Sequence, residues 1–348
     1  MLPRVAVLAP FAFPSVRGNA VTVARITAGL RARGVELRVW DLSVTAPEAI
    51  EREVDAFRPA TIHAFHAYRV GPQALRLARR AEIPLVVTIT GTDANHDLFD
   101  PERAAVVRRV LEGAQVVTVF DDSIGAKIAG ALPDVGPRLR TIPQSVGDGA
   151  ARLFDLASRW ALPADRVLFL FPGGVRPVKR PRLPLAPLGR LVARDPRVRL
   201  LYVGPVLDAR EGEALLAAVA ERPWARHLGA VTHAEMPSLL SAADVVLNCS
   251  ESEGGMANSV LEALAGGRAV LAADIEGNRS LVIHEETGLL FRDEAELERG
   301  AARLVSDPPL RRRLGDAGRA LVACRFPPAA EIDAYLDVFH RLGAVRSA

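Results

Sequence analysis

Glu253 and Glu262 enclose the run Gly254-Gly-Met-Ala-Asn-Ser-Val-Leu261, and an apolar segment, Asp244-Val-Val-Leu-Asn248, lies just ahead of them. The pattern reads as a strand, a glycine-bearing loop and a helix that opens near Asn258 and stops at Ala265-Gly-Gly267. The first N–H groups of such a helix have no partner inside it, and its dipole is positive there, so anions and hydroxyls bind. Gly255, Met256, Ala257 and Asn258 supply the backbone of that turn. Carboxylates beside these donors suit a ligand with both hydroxyls and phosphate, as a nucleotide sugar has. Ordinary capping would explain one glutamate, but not both together with the glycines.

A second run, Pro172-Gly-Gly-Val-Arg176-Pro-Val-Lys179-Arg-Pro181, follows a wholly apolar segment. A guanidinium and an ammonium at a strand end can clamp a diphosphate and take up charge on a departing phosphate. The Gly-Lys-Ser/Thr of a P-loop is absent. Two runs earlier in the chain, each at the end of a strand, gather further polar groups: His63-Ala-Phe-His66-Ala-Tyr68-Arg69 and Thr88-Ile-Thr-Gly-Thr92-Asp93-Ala-Asn-His96-Asp97. His66 could orient a sugar hydroxyl or exchange a proton. Tyr68, Arg69, Thr92 and Asp93 offer acceptor-side contacts, although a local Asx-turn would equally account for Asp93. In Pro14-Ser-Val-Arg-Gly18-Asn19-Ala20, Gly18 would let the backbone approach a phosphate at a helix start; the plainer alternative is a βα turn capped by Asn19. The dinucleotide fingerprint of three spaced glycines is not there.

The elements that must carry these runs alternate. Strands are expected at 4–10, 35–40, 60–65, 85–89, 116–119 and 139–142, with helices at 21–33, 47–57, 72–81, 101–113 and 122–131. After a region of mixed polarity at 145–164, strands recur at 167–171, 198–203, 227–229, 244–248 and 269–272. Helices close the chain at 294–305, 308–322 and 328–342, and 285–291 reads as a short hairpin-like end. Such alternation implies α/β architecture with parallel sheets covered on both faces. The expected organisation is an N-terminal Rossmann-like acceptor-side domain, 1–160, and a donor-binding domain, 161–327. A last helix, 328–348, would return toward the first domain. Two doubly wound domains of this kind face a central cleft, where ligands bind.

The 348 residues suffice for two cores. A hydrophobic content of 49% and a charged content of 24% are those of a soluble globular protein. A net charge of +3 gives no case for nucleic acid. The first strand is expected almost at once after Met1, without a basic and apolar leader pattern. No uninterrupted apolar run reaches about 18 residues, and no helical stripe favours a membrane surface. Cys249 and Cys324 lack metal-ligand spacing and are expected to be buried thiols in a reducing, cytoplasmic setting.

Taken together, these residues resemble the retaining nucleotide-sugar glycosyltransferases of family four, with the two-domain GT-B fold. The resemblance covers nearly the whole chain and is strongest over 167–291. Gly18-Asn-Ala-Val-Thr22, His66-Ala-Tyr-Arg69, Gly91-Thr-Asp93, Val175-Arg-Pro-Val-Lys179 and Glu253 to Phe291 look most like two subgroups. These are the glycosyltransferase 1 domain-containing group and the selenosugar synthases. Gly277-Asn-Arg-Ser-Leu281 through Phe291 favours the first. The resemblance implies that Glu262 holds ribose hydroxyls and that Glu253 contacts the donor sugar with help from the backbone of 255–257. It implies that Arg176 and Lys179 neutralise the diphosphate with the Gly18 loop, and that His66 sits near the reacting carbon. It implies no metal and no cofactor beyond the nucleotide sugar.

The chain departs from the family pattern in three places. Eight residues separate Glu253 and Glu262 where seven are usual, because of the extra glycine at 254–255. The usual arginine of the phosphate loop falls at Gly174, which leaves Arg176 to act from two residues later. A histidine common at the fourth strand end is Thr90 here. The expected reaction is transfer with retention from a nucleotide diphosphate sugar, most simply a UDP-hexose or UDP-N-acetylhexosamine. Front-side attack, with the leaving phosphate deprotonating the acceptor, is preferred to a covalent nucleophile, for which Asp93 would be the candidate. The acceptor stays open between sugars, lipids and a small anion such as selenophosphate bound by Arg69 and His66. A non-catalytic nucleotide-sugar-binding subunit is the alternative from another class.

Overall fold

Among the described residues, short and mostly apolar runs form twelve strands. A computed structural model, which describes residues 3–12, 15, 18–147 and 151–345, arranges them as two six-stranded sheets. The first holds β1 (Val5–Ala9), β2 (Leu37–Asp41), β3 (Thr61–Phe65), β4 (Leu85–Thr88), β5 (Val116–Val119) and β6 (Leu139–Thr141), in the order β2-β1-β3-β4-β5-β6. The second holds β7 (Val167–Pro172), β8 (Val198–Val203), β9 (Ala225–His227), β10 (Val245–Asn248), β11 (Ala269–Ala273) and β12 (Leu289–Phe291), in the order β12-β11-β10-β7-β8-β9. Every neighbouring pair is parallel. The central strands β1, β3, β4, β7, β10 and β11 are buried along their whole length, as parallel strands covered by helices on both faces must be.

Helix starts follow the local chemistry. Asp121, Asp155, Asp208, Asp293 and Asp307 each accept a backbone N–H at the head of a helix, a use for which a short carboxylate is well suited. Among the described residues no helix is long and apolar enough to cross a membrane.

The chain divides into two compact units, Met1–Ser145 with Pro327–Ala348, and Val146–Phe326. Residues 146–160, placed with the first domain on sequence, therefore belong to the second unit. Two backbone bonds hold the stretch after residue 150 there: Arg152 N–H donates to Ala234 O at 2.6 Å and Phe154 N–H to Ser238 Oγ at 3.0 Å. In the first unit the closing helix Pro328–Val345 buries Ile332, Tyr335, Val338 and Phe339 against Val5, Val7, Ile26 and Phe65. Arg25 fixes its start through two 2.9 Å bonds to Glu331, whose carboxylate also accepts the Ser145 N–H at 3.2 Å.

Four local expectations are corrected. The 285–291 stretch is no hairpin: β12 runs parallel to β11, with Leu271 opposite Leu289. β9 begins two residues earlier than the apolar pattern suggests. Asn19 lies inside the helix Gly18–Ala32 and does not precede it as a cap. Cys249 is buried, and the surrounding apolar core pushes its thiol up to about 12, but Cys324 is exposed on a helix.

Candidate functional site

In the second unit the strand order reverses between β7 and β10, the place where doubly wound sheets bind ligands beyond the strands' carboxyl ends. Gly173 leaves β7 with φ +151°, and Gly204, with φ +149°, leaves β8. A Cβ at Gly204 would lie 2.2 Å from Gly173 O, so these two backbones meet only because no side chain intervenes. Arg176 is extended and starts the 3₁₀ turn Pro177–Lys179. Arg180 then takes a left-handed conformation, φ +45°, which aims its guanidinium at the other loop: Nε donates to Cys249 O at 2.7 Å. Glu251 N–H donates back to Val178 O at 2.9 Å. The loops after β7 and β10 are thus tied together.

This tie brings Lys179 onto Glu253. The ammonium, Ser250 Oγ (2.7 Å) and Asn248 Nδ2 (3.1 Å) all donate to Glu253 Oε1. Burial pushes the Glu253 carboxyl up, but the Lys179 charge and the three donors outweigh it, and the net direction is down. Asn278, fully buried in the turn after β11, donates to Asn248 Oδ1 at 3.3 Å and to Ala273 O at 2.9 Å, while its own Oδ1 has no partner. Gly277 lies directly against this loop: a Cβ there would be 2.3 Å from Gly255 O and 2.6 Å from Glu253 Cβ.

Gly255, at φ +102°, turns the chain into the helix Asn258–Ala265, preceded by the buried Met256 and Ala257. The helix opens at the expected residue, and its N-cap, Ala257, provides no side-chain cap. Glu262 projects from its second turn and pairs with His233 Nε2 at 2.9 Å. Gly174 lies beside Leu207, whose Cδ1 would be 2.4 Å from a Cβ at that position.

In the first unit the order reverses between β1 and β3, and His66 follows β3 directly. His66 holds φ +98°, a region a β-carbon resists. Its Nδ1 accepts N–H bonds from Tyr68 (3.2 Å) and Arg69 (3.3 Å), so the neutral ring carries its proton on Nε2, which faces Thr92 Oγ1 at 2.9 Å. Burial holds its pKa below the usual value. With the side chain 1% exposed, His66 ties this loop together through both ring nitrogens.

Asp93 is engaged by backbone in the same region. It is fully buried in the π-helical turn Asp93–Asp97 and accepts N–H bonds from Ala67 (3.0 Å), Thr90 (3.1 Å) and Gly91 (2.7 Å). Thr92 stays partly exposed, Arg69 is exposed with its guanidinium 5.6 Å from the Phe11 ring centre, and Tyr68 lies under Arg103 at 5.3 Å. Asn19 Nδ2 donates to Thr90 Oγ1 at 3.3 Å, so Gly18 starts a helix anchored to this same strand end.

Sequence reasoning assigned no role to His233, Arg180, Asn248 and Ser250, and read Asn278 only as part of the polar turn Asp274-Ile-Glu-Gly-Asn278-Arg279 after a strand. Asn248 and Ser250 adjoin the glycine-bearing loop and were legible as polar residues at a strand end. His233 and Arg180 act through distant partners that no spacing announces. Among the described residues no group of three or more His, Cys, Asp or Glu side chains is arranged to hold a metal ion.

Residues 166–307 match the family model described as glycosyl transferases group 1. The chain is 26% identical to the glycosyltransferase 1 domain-containing protein 1 of Xenopus tropicalis over 326 residues, covering 91% of this chain and 92% of that one. It is 31% identical over 320 residues to a D-inositol 3-phosphate glycosyltransferase of Streptomyces bingchenggensis, covering 81% of this chain and 68% of that protein. Its fold is similar to HepE of Anabaena, solved in complex with UDP and glucose, with a TM-score of 0.80 at 16% identity over 97% of this chain and 100% of the other.

Proposed function

The chain belongs to the group 1 glycosyltransferases, and on that premise we propose that it transfers a hexosyl or N-acetylhexosaminyl group, with retention, from a UDP-sugar. The observation that carries this reading is the convergence of Lys179 and Glu253 at the reversal of the second sheet, one loop ahead of the uncapped helix start that leads to Glu262. Backbone donors at 255–258 and the helix dipole suit the diphosphate, and Glu262 suits a ribose diol. Glu253, fixed by three donors, is an acceptor for sugar hydroxyls. The similarity of the fold to a UDP-bound neighbour favours uracil as the base.

The chemistry follows from these assignments. The bond from the anomeric carbon to the diphosphate oxygen breaks while the acceptor's oxygen bonds to that carbon from the same face. The acceptor's proton passes to the departing diphosphate. Arg176 and Lys179 stabilise the negative charge that develops, a task for fixed cations and dipoles, with no metal assigned to it. On the acceptor side Thr92, Tyr68 and Arg69 are the open groups, and His66 and Asp93 hold the loops that present them.

A panel of UDP-, GDP- and ADP-sugars, read by nucleotide release and by shift of melting temperature, tests the reading. UDP-sugars should be the donors, and the anomer formed, read by NMR, should match the donor's. Glu262→Ala and Lys179→Ala should lose nucleotide release while still unfolding cooperatively. Full activity in either variant overturns its assignment.

A further inference from the structure

Glu262 reaches its ligand with one oxygen already engaged. Among the described residues, its carboxylate has a single hydrogen-bond partner, His233 Nε2 at 2.9 Å on Oε1. The two side chains are 18% and 34% exposed, so the pair sits at the surface of its unit and not in its core. His233 is itself held by a stiff turn. Thr232 and Glu235 form a reciprocal capping box around it, with Glu235 Oε2 accepting from the Thr232 N–H at 2.9 Å and its hydroxyl at 2.7 Å. The neighbouring Ala234 carbonyl accepts the Arg152 N–H at 2.6 Å, and Pro237 stiffens the first turn of the helix Met236–Ala242 that follows.

A glutamate side chain left to itself spreads over several rotamers, and fixing it costs binding free energy when a ligand must do the fixing. A histidine on a rigid turn does this beforehand. It leaves Oε2, and the second lone pair of Oε1, to accept from two adjacent hydroxyls.

We propose that His233 is the positioning residue that makes Glu262 selective for a vicinal diol, and so for ribose over deoxyribose in the donor nucleotide. The inference rests on the reading of Glu262 as the ribose contact. It adds that His233 acts through Glu262 and only on the hydroxyls.

The test is calorimetric titration of the full chain with UDP and with 2′,3′-dideoxyuridine diphosphate. The unaltered protein should prefer UDP. His233→Ala should weaken UDP binding about tenfold, the size of one charge-assisted hydrogen bond, and leave the dideoxy nucleotide nearly unchanged. His233→Gln, whose amide can donate to the same oxygen, should recover most of the loss. An equal loss for both nucleotides in His233→Ala, or no loss, overturns the inference. Glu262→Gln separates this from the underlying reading. If that variant discriminates no less than the unaltered protein, or if the unaltered protein binds the two nucleotides equally or not at all, the ribose assignment itself falls.

Discussion

Lys179, on the turn after β7, donates to Glu253, on the loop after β10, across the point where the second sheet reverses its strand order. Both side chains are mostly buried, 16% and 12% exposed. The pair therefore resembles a core ion pair more than a surface one, and its two members are not independent.

Replacing Lys179 by Met should take from the Glu253 charge its cationic partner, while Ser250 and Asn248 still donate to it. The expected loss is about 3 kcal/mol in urea unfolding, the scale for breaking a buried pair. Glu253→Gln should cost less, and the double variant should recover part of the sum. The pH dependence has a definite sign. The folded pKa of Glu253 lies below the usual carboxylate value, so this stabilisation is present above about pH 4.5 and is lost as pH falls through the folded value. Lys179→Met should flatten that acid limb. Additive single effects would show that the two groups do not interact.

His66 gives a second prediction, because its backbone and its ring make separate demands. At φ +98° a β-carbon is strained, and the ring's Nδ1 holds two backbone N–H groups. Asn tolerates positive φ and its amide oxygen can accept the same bonds, so His66→Asn should be the mildest change. His66→Ala keeps the strain and loses the acceptor, and should unfold about 1–2 kcal/mol more easily than His66→Asn. Both should lower transfer through Thr92, raising KM for the acceptor more than for the donor. Urea melts and initial rates measure the two effects. Equal stability of the Ala and Asn variants would remove the backbone argument.

How much of this was legible beforehand depended on how local the signal was. Alternating apolar runs and helix periods revealed the parallel architecture, since each strand carries its own pattern. Glu262, Lys179 and Asn258 stood out because they lie in the loop or helix that comes next after a buried strand. His233 did not, because its partner lies 29 residues away and a histidine in a Thr-His-Ala-Glu turn looks like any surface residue. The parallel pairing of β12 was hidden for a related reason: Gly288 suggests a local turn, while the strand's partner is set by the whole sheet. His66 and Asp93 were recognisable as polar residues at strand ends, but their burial, which no local pattern reports, was not.

The last prediction concerns His63, a residue whose only visible role is in the core. It is fully buried, stacked on Phe65 at 4.3 Å between ring centres and close to Tyr335, with Nε2 on Thr88 Oγ1 at 2.7 Å and Nδ1 unpartnered. Burial drives its pKa down to about 3. The unfolded chain binds this proton below about pH 6.5 and the folded chain does not, so stability from this group is complete above that pH and falls as acid is added. The slope approaches about 1.4 kcal/mol per pH unit, or about 2 kcal/mol between pH 6.5 and 5. His66, whose pKa burial also lowers, adds in the same direction. Urea unfolding of the unaltered protein and of His63→Phe at pH 7.5 and 5.0 isolates the effect, because every other titrating group is common to both. The Phe variant should lose about 2 kcal/mol less over that interval. An identical loss in both proteins would mean that His63 is protonated in the folded state or that the acid sensitivity lies elsewhere.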